Sequence, residues 1–214
     1  LSLKSLLALE PSFILEFTAT PITKTEKAKE IYASNILYSV NATQLKKENM
    51  IKLPILLKTI DDSMKILEDG ISKREYLEKL AMMEEAKTGR YIRPINLIRA
   101  DENRSDNSLT YDKIKTLLIE DFKIDEKYIA IHTGDKKELD GIDLLNHDCE
   151  IRYIITVDAL KEGWDCPFAY VLSVVSNMQS ATAIEQLIGR VLRMPYKKKK
   201  YKKELAYSYV FVAS

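Results

Sequence analysis

The sequence predicts an α/β fold, a parallel sheet covered by helices on both faces. Two observations carry that expectation. Short apolar runs, among them Pro94 to Ala100, Arg152 to Val157 and Ala169 to Val175, read as strands buried on both faces. Stretches with apolar residues at three- and four-residue steps alternate with them, as βα units require.

Composition narrows the class. The chain has 214 residues, enough for one large domain or one domain plus a piece of another. Its net charge is +1, so any basic surface for nucleic acid must be local. Two cysteines, Cys149 and Cys166, are too few for a disulfide framework or a zinc site and read as reduced thiols of a cytoplasmic protein. No apolar run approaches the roughly 18–20 residues needed to span a membrane, so no membrane partner is expected. The start, L-S-L-K-S-L-L-A-L-E, lacks an initiator Met and a signal-peptide layout, and reads as a cut end of a longer protein.

In order, Leu1 to Glu10 has helical spacing and stops at Pro11. Ser12 to Phe17 reads as a strand running into the turn Thr18-Ala19-Thr20-Pro21, and Thr23 to Ala33 is charged and helical or linking. Ile36 to Val40 is a strand candidate, and Asn41 can cap a helix through Met50. Ile51 to Leu57 is strand-like. From Thr59 to about Lys87 the apolar positions Ile60, Met64, Leu67, Ile71, Leu77, Leu80 and Met83 predict a helical arm (59–88), an insertion that Gly70 and Ser72 divide into two helices. Pro94 to Ala100 is a strand, and a helix from Leu109 to Asp121 follows with Ser108 as its cap. Lys127 to His132 is the next strand, and Leu139 to Asn146 is at most a short helix. After Arg152 to Val157 and Ala169 to Val175, the basic run Tyr196 to Lys203 fits a nucleic acid backbone contact or a solvated hairpin or loop. Ala206 to Ala213 is the final strand.

The chemistry concentrates between Thr156 and Arg193. L-K-E-G-W-D, Leu160 to Asp165, follows one apolar strand; Q-x-x-G-R-x-x-R, made by Gln186, Gly189, Arg190 and Arg193, follows the next. On a helix Gln186, Arg190 and Arg193 share one face, where two guanidinium groups and an amide can clamp a phosphate tail. Alone, Q-x-x-G-R-x-x-R favours a solvated basic face, since an arginine pair at helical spacing is common; the order of the flanking strands and motifs shifts the reading. Gly163 has no Cβ, so a ligand can approach its backbone. Asp165 can accept hydrogen bonds from ribose hydroxyls or simply form the turn before Cys166-Pro167. All these residues, with Arg99 and His132-Thr133-Gly134, are expected beyond the carboxyl ends of the strands, where open parallel sheets bind ligands. His132 has only His147 as a companion and reads as structural.

The ordered series resembles motifs V and VI of superfamily 2 helicases, and L-K-E-G-W-D-C-P is most similar to the helicase part of the type III restriction enzyme Res subunit. T-A-T-P, Thr18 to Pro21, resembles motif III of the same family. The resemblance covers about Phe17 to Pro195. It implies a RecA-like three-layer domain, with residues 1–24 the tail of a missing first RecA-like domain and linker, and 25–214 the second domain. It implies that Arg190 and Arg193 are arginine-finger candidates, that Gly163, Asp165 and Gln186 bind ATP, and that Arg99, Thr133, Gly134 and Thr156 hold the nucleic acid backbone. Mg2+ would be held by the first domain of the same chain. The implied partners are double-stranded DNA and a DNA methyltransferase (modification) subunit, and the implied place is the cytoplasm.

Departures refine this. Val157 and Glu162-Gly163 stand where DEAD-box proteins carry Thr and Arg-Gly, and Gln186 stands where they carry His; both point to the restriction-type branch. No G-x-x-x-x-G-K-[ST] and no D-E-x-H occur, so the chain alone is expected to be inactive. The first expectation is the ATP-dependent translocase part of a type III restriction endonuclease. The alternatives are a related superfamily 2 helicase of repair or RNA metabolism, and a nucleic-acid-binding module without an ATPase role, which leaves Arg190, Arg193 and Asp165 together without a use.

Overall fold

The computed structural model describes residues 5, 8–18, 21–26, 31–101, 108–157, 165–175 and 187–213. The chain divides into two units, Leu1–Asn41 and Ala42–Ser214. The sequence reading set its boundary near Lys24.

The first unit is held by backbone and hydroxyl contacts. Glu26 and Ile31 form an antiparallel bridge, and the Ile22 and Ala33 amides donate to Ser34 Oγ and Thr25 Oγ1. Ser12 to Phe17 and Ile36 to Val40, both expected as strands, are irregular backbone here. Their apolar side chains, including Phe13, Phe17, Leu37 and Tyr38, are exposed. The helix expected over Leu1 to Glu10 and the motif at Thr18 to Pro21 lie largely outside the described residues.

The second unit is built on six parallel strands: β1 (Ile55–Ile60), β2 (Ile95–Arg99), β3 (Ile129–Ile131), β4 (Tyr153–Thr156), β5 (Ala169–Val174) and β6 (Ser208–Ala213), in the order β1-β6-β5-β2-β4-β3. The helices are α1 (Ala42–Lys47), α2 (Ser63–Thr88), α3 (Tyr111–Glu120) and α4, described over 187–191. Every residue of β3, β4 and β5 is buried, which is why those strands read as continuous apolar runs.

Side-chain alternation assigns the faces. Asn96 is in register with Tyr153 and Val171, and Val171 with Tyr209. The Arg74 side chain of α2 donates to Tyr153 Oη at 2.9 Å, so α2 covers that face. Ser208 precedes Tyr209 and points to the other face, where its hydroxyl donates to the Val191 carbonyl at 3.0 Å. Helix α4 therefore covers the opposite face. This is the expected α/β class, a parallel sheet with helices on both sides, consistent with a RecA-like domain.

The stretch read as an inserted arm is the crossover itself. Helix α2 runs unbroken for 26 residues, capped by Asp62, which accepts from Met64 N, and closed by Gly89 at φ 68°. Ile66, Leu67, Ile71, Leu77 and Ala81 bury its inner face against the sheet. Gly70 was expected to break it. Instead it lets the helix approach: a Cβ there would lie 2.2 Å from Ser173 Oγ and 2.8 Å from Asn96 Nδ2. In an exposed helix Gly→Ala gains up to about 1 kcal/mol. Here Gly70→Ala is expected to destabilise by about 1–2 kcal/mol through overpacking, and Ser173→Ala to recover most of that loss. Urea denaturation of both variants and the double variant measures it; a plain stabilisation by Gly70→Ala contradicts the tight approach.

Smaller corrections follow the same logic. Thr110, not Ser108, caps α3, its hydroxyl accepting from Lys113 N. Leu139 to Asn146 forms turns, held in place by buried Arg93, which donates to the carbonyls of Leu144, Asn146 and Ile151.

Candidate functional site

The expected site residues divide between the two edges of the sheet. At the carboxyl edge, β2, β4 and β3 end side by side. Ala100 N donates to Thr156 O at 2.8 Å, and His132 N donates to Ile155 O at 2.9 Å. Arg99, Thr156 and the Thr133–Gly134 turn are thereby neighbours. Thr133 closes its turn twice: its amide donates to Lys136 O at 2.7 Å, and its hydroxyl accepts from Lys136 N at 3.1 Å. Gly134 is exposed, with nothing within 4 Å of where a Cβ would stand. Arg99 is half-buried. Thr156 is buried, so its hydroxyl is out of reach of a surface phosphate.

Asp165 and Arg193 lie at the other edge, contrary to the expectation that every motif sits at the carboxyl ends. The physical reason is the parallel crossover. A chain that leaves β4 at its carboxyl end must be back at the amino end before β5 begins. Cys166 O already accepts from Ala169 N, the first residue of β5, so Asp165 belongs to the amino edge. Helix α4 makes the same return before β6. At its end Arg193 Nη1 donates to Asp165 Oδ2, joining two residues 28 apart in sequence. Arg193 is 60% exposed and Asp165 37%, so both remain open to a ligand. Arg190 is half-buried on α4. Gly163 and Gln186 lie outside the described residues.

What holds this pair together was not read from the sequence. The segment 50–52 runs antiparallel to 192–194. Ile51 bridges Arg193, Lys52 N donates to Leu192 O at 2.6 Å, and Met194 N donates to Met50 O at 2.9 Å. The Lys52 side chain is fully buried. It donates to Pro167 O at 2.9 Å and Ala169 O at 2.6 Å, with its ammonium 4.0 Å from the centre of the Tyr170 ring. One residue thus ties the turn after Asp165 to the segment carrying Arg193. Burial holds its amine well below the ordinary lysine range, against the opposing pull of Cys166 and Asp165. The neighbouring Cys166 thiol is pushed up to about 11 by burial, so it is protonated at neutral pH and no nucleophile.

Among the described residues no group of three or more His, Cys, Asp or Glu could hold a metal ion, and no helix is long and apolar enough to cross a membrane. His132 sits in a bridge with Lys137, with buried Nδ1 lacking a hydrogen-bond partner.

No family model matches the chain, and no curated protein matches it. Among solved structures, the ATP-dependent Type ISP restriction-modification enzyme LlaBIII bound to DNA is similar at 17% identity and a TM-score of 0.42. The match covers 79% of this chain and 12% of that chain.

Proposed function

We propose that this chain is the second RecA-like domain of an ATP-dependent DNA translocase, the motor part of a type III restriction endonuclease Res subunit. The observation that supports it best is the meeting of Asp165 and Arg193 at one exposed edge, from motifs on two different crossovers. An exposed guanidinium beside a carboxylate is a donor and acceptor set that fits ATP: phosphate on the arginine, ribose hydroxyls on the aspartate. In this reading Arg193 and Arg190 stabilise charge on the transferred phosphoryl group, and Gly163 and Gln186 complete the nucleotide contacts. ATP supplies the phosphoanhydride whose cleavage drives movement. The first RecA-like domain of the same protein holds Mg2+ and the phosphate-cradling loop. Arg99, Thr133 and Gly134, at the far edge, grip the DNA backbone without reading sequence. A DNA methyltransferase subunit in the cytoplasm completes the restriction system.

The test is ATP turnover by the full-length protein with double-stranded DNA, single-stranded RNA or neither. Stimulation by duplex DNA is the expected result. A full-length protein that hydrolyses no ATP under any of these conditions sinks the proposal.

A further inference from the structure

By sequence the run Tyr196 to Lys203 suits either a nucleic acid contact or a solvated hairpin or loop. Its backbone is fixed by four anchors. Tyr196 Oη donates to Tyr91 O at 2.5 Å, Lys202 N donates to Glu84 Oε2 at 3.0 Å, and Arg90 Nη1 donates to Lys199 O at 3.5 Å. Lys200 alone turns inward, where its amine donates to Pro195 O at 2.8 Å. Tyr196 and Lys197 both have positive φ, 61° and 48°, a conformation that persists only when its surroundings impose it. The anchors impose it here.

The outward side chains are of two kinds. Lys197, Lys198, Lys199 and Lys203 are exposed, and none of them forms an ion pair among the described residues. Between them Tyr196 and Tyr201 expose 49% and 58% of their surface. Unpaired lysines suit phosphates spaced along a strand. The Lys200 and Lys202 ammonium groups lie over the Tyr196 and Tyr201 rings at 5.5 and 5.1 Å, and the exposed part of each phenol suits a base that is not already stacked in a duplex. The loop shows no Leu, Ile, Phe or Trp that would enter a lipid acyl region, which disfavours a membrane surface.

We propose that the Tyr196–Lys203 loop is a docking surface for single-stranded nucleic acid, with phosphates on its outward lysines and bases stacked on Tyr201 and Tyr196. The loop joins the end of α4 to the start of β6, so it lies at the amino edge, opposite Arg99, Thr133 and Gly134. It is therefore a second nucleic acid contact, distinct from the one proposed above and on the same edge of the sheet as Asp165 and Arg193.

The experiment is fluorescence anisotropy of a labelled oligothymidylate with the full-length protein across a salt series. Replacing Lys197, Lys198 and Lys199 together by Ala is expected to weaken binding about tenfold or more at low salt. It should also flatten the slope of log K against log salt by about 2, at roughly 0.7 per phosphate contact on a single strand. Tyr201→Ala is expected to weaken binding about tenfold with the slope unchanged, since stacking releases no counterions, and Tyr201→Phe to bind as the parent does. These side chains are exposed, so a failure to fold does not enter. If both Ala variants bind as the parent does, the surface is wrong. It is equally overturned if the lysines matter but Tyr201→Ala does not, or if phosphatidylserine vesicles bind through the lysines while the oligonucleotide does not. Loss of ATPase activity in Arg193→Ala would leave these results untouched, so the two readings fail separately.

Discussion

Arg193→Ala in the full-length protein is expected to lower kcat for ATP hydrolysis a hundredfold or more while leaving KM close to its starting value. A guanidinium that meets charge only as it develops acts on the transition state, so its loss falls on kcat. Removing one such donor costs on the order of 3–5 kcal/mol of barrier. Asp165→Ala is expected to raise KM instead, because a ribose contact is made equally before and during reaction. The ion pair between the two adds a further expectation. Asp165 also orients Arg193, so the double variant should lose less than the sum of the single losses. The measurement is turnover against ATP concentration at saturating DNA for the two single variants and the double. If Arg193→Ala keeps a near-normal kcat, the contact is an ordinary surface ion pair, worth about 0–1 kcal/mol, and the proposed function loses its main support.

The strands that form the centre of the sheet were legible because burial on both faces leaves no polar alternation to confuse them. Ala169 to Val174 is the clearest case, six residues all buried. The same reasoning misread Ser12 to Phe17 and Ile36 to Val40. Those runs are as apolar as the true strands, but periodicity does not show whether a partner strand exists, and here their side chains are exposed. Gly70 misled for a different reason. Its helix propensity argues for a break, and only the facing Ser173 and Asn96 explain why a glycine belongs inside the helix.

The candidate site was half legible. Motif wording singled out Asp165 and Arg193, and the structure brings them into contact. Their edge of the sheet was misplaced, because proximity to a strand in sequence was taken for proximity to its carboxyl end. Asp165 follows β4 by nine positions but precedes β5 by four, and the shorter step decides. Lys52 carried no signal at all. A single lysine in M-I-K-L-P-I-L-L looks like a solvent-facing position of a strand, and nothing local reveals carbonyl acceptors more than 100 residues away.

Lys52→Ala is expected to destabilise the domain by about 3–5 kcal/mol. It removes a long buried stem, leaving a cavity, and strips hydrogen bonds from the carbonyls of Pro167 and Ala169. Lys52→Met keeps the stem but not the donors, so about 1–3 kcal/mol is expected, and the pH dependence separates the two effects. Burial lowers the Lys52 amine well below 10.5 in the folded state, with Lys200 pushing the same way. A base whose folded value is depressed binds fewer protons folded than unfolded. Stability therefore rises with pH from that lowered value up to the unfolded one. Lys200, itself lowered to about 8 by burial, adds a rise of the same sign between about 8 and the unfolded value. Buried Tyr153 and Tyr170, held above the usual phenol range by burial, reverse the trend near pH 10. The contribution of Lys52 is thus read between its lowered value and about pH 10, as the difference in slope between the parent and Lys52→Met in urea denaturation, since Lys200 and the tyrosines are common to both. The parent should gain stability with pH there, and Lys52→Met should lose that part of the slope. Parallel slopes, or a parent no more stable than Lys52→Ala, would show that this lysine neither carries a depressed pKa nor fastens the Asp165 turn to the Arg193 segment.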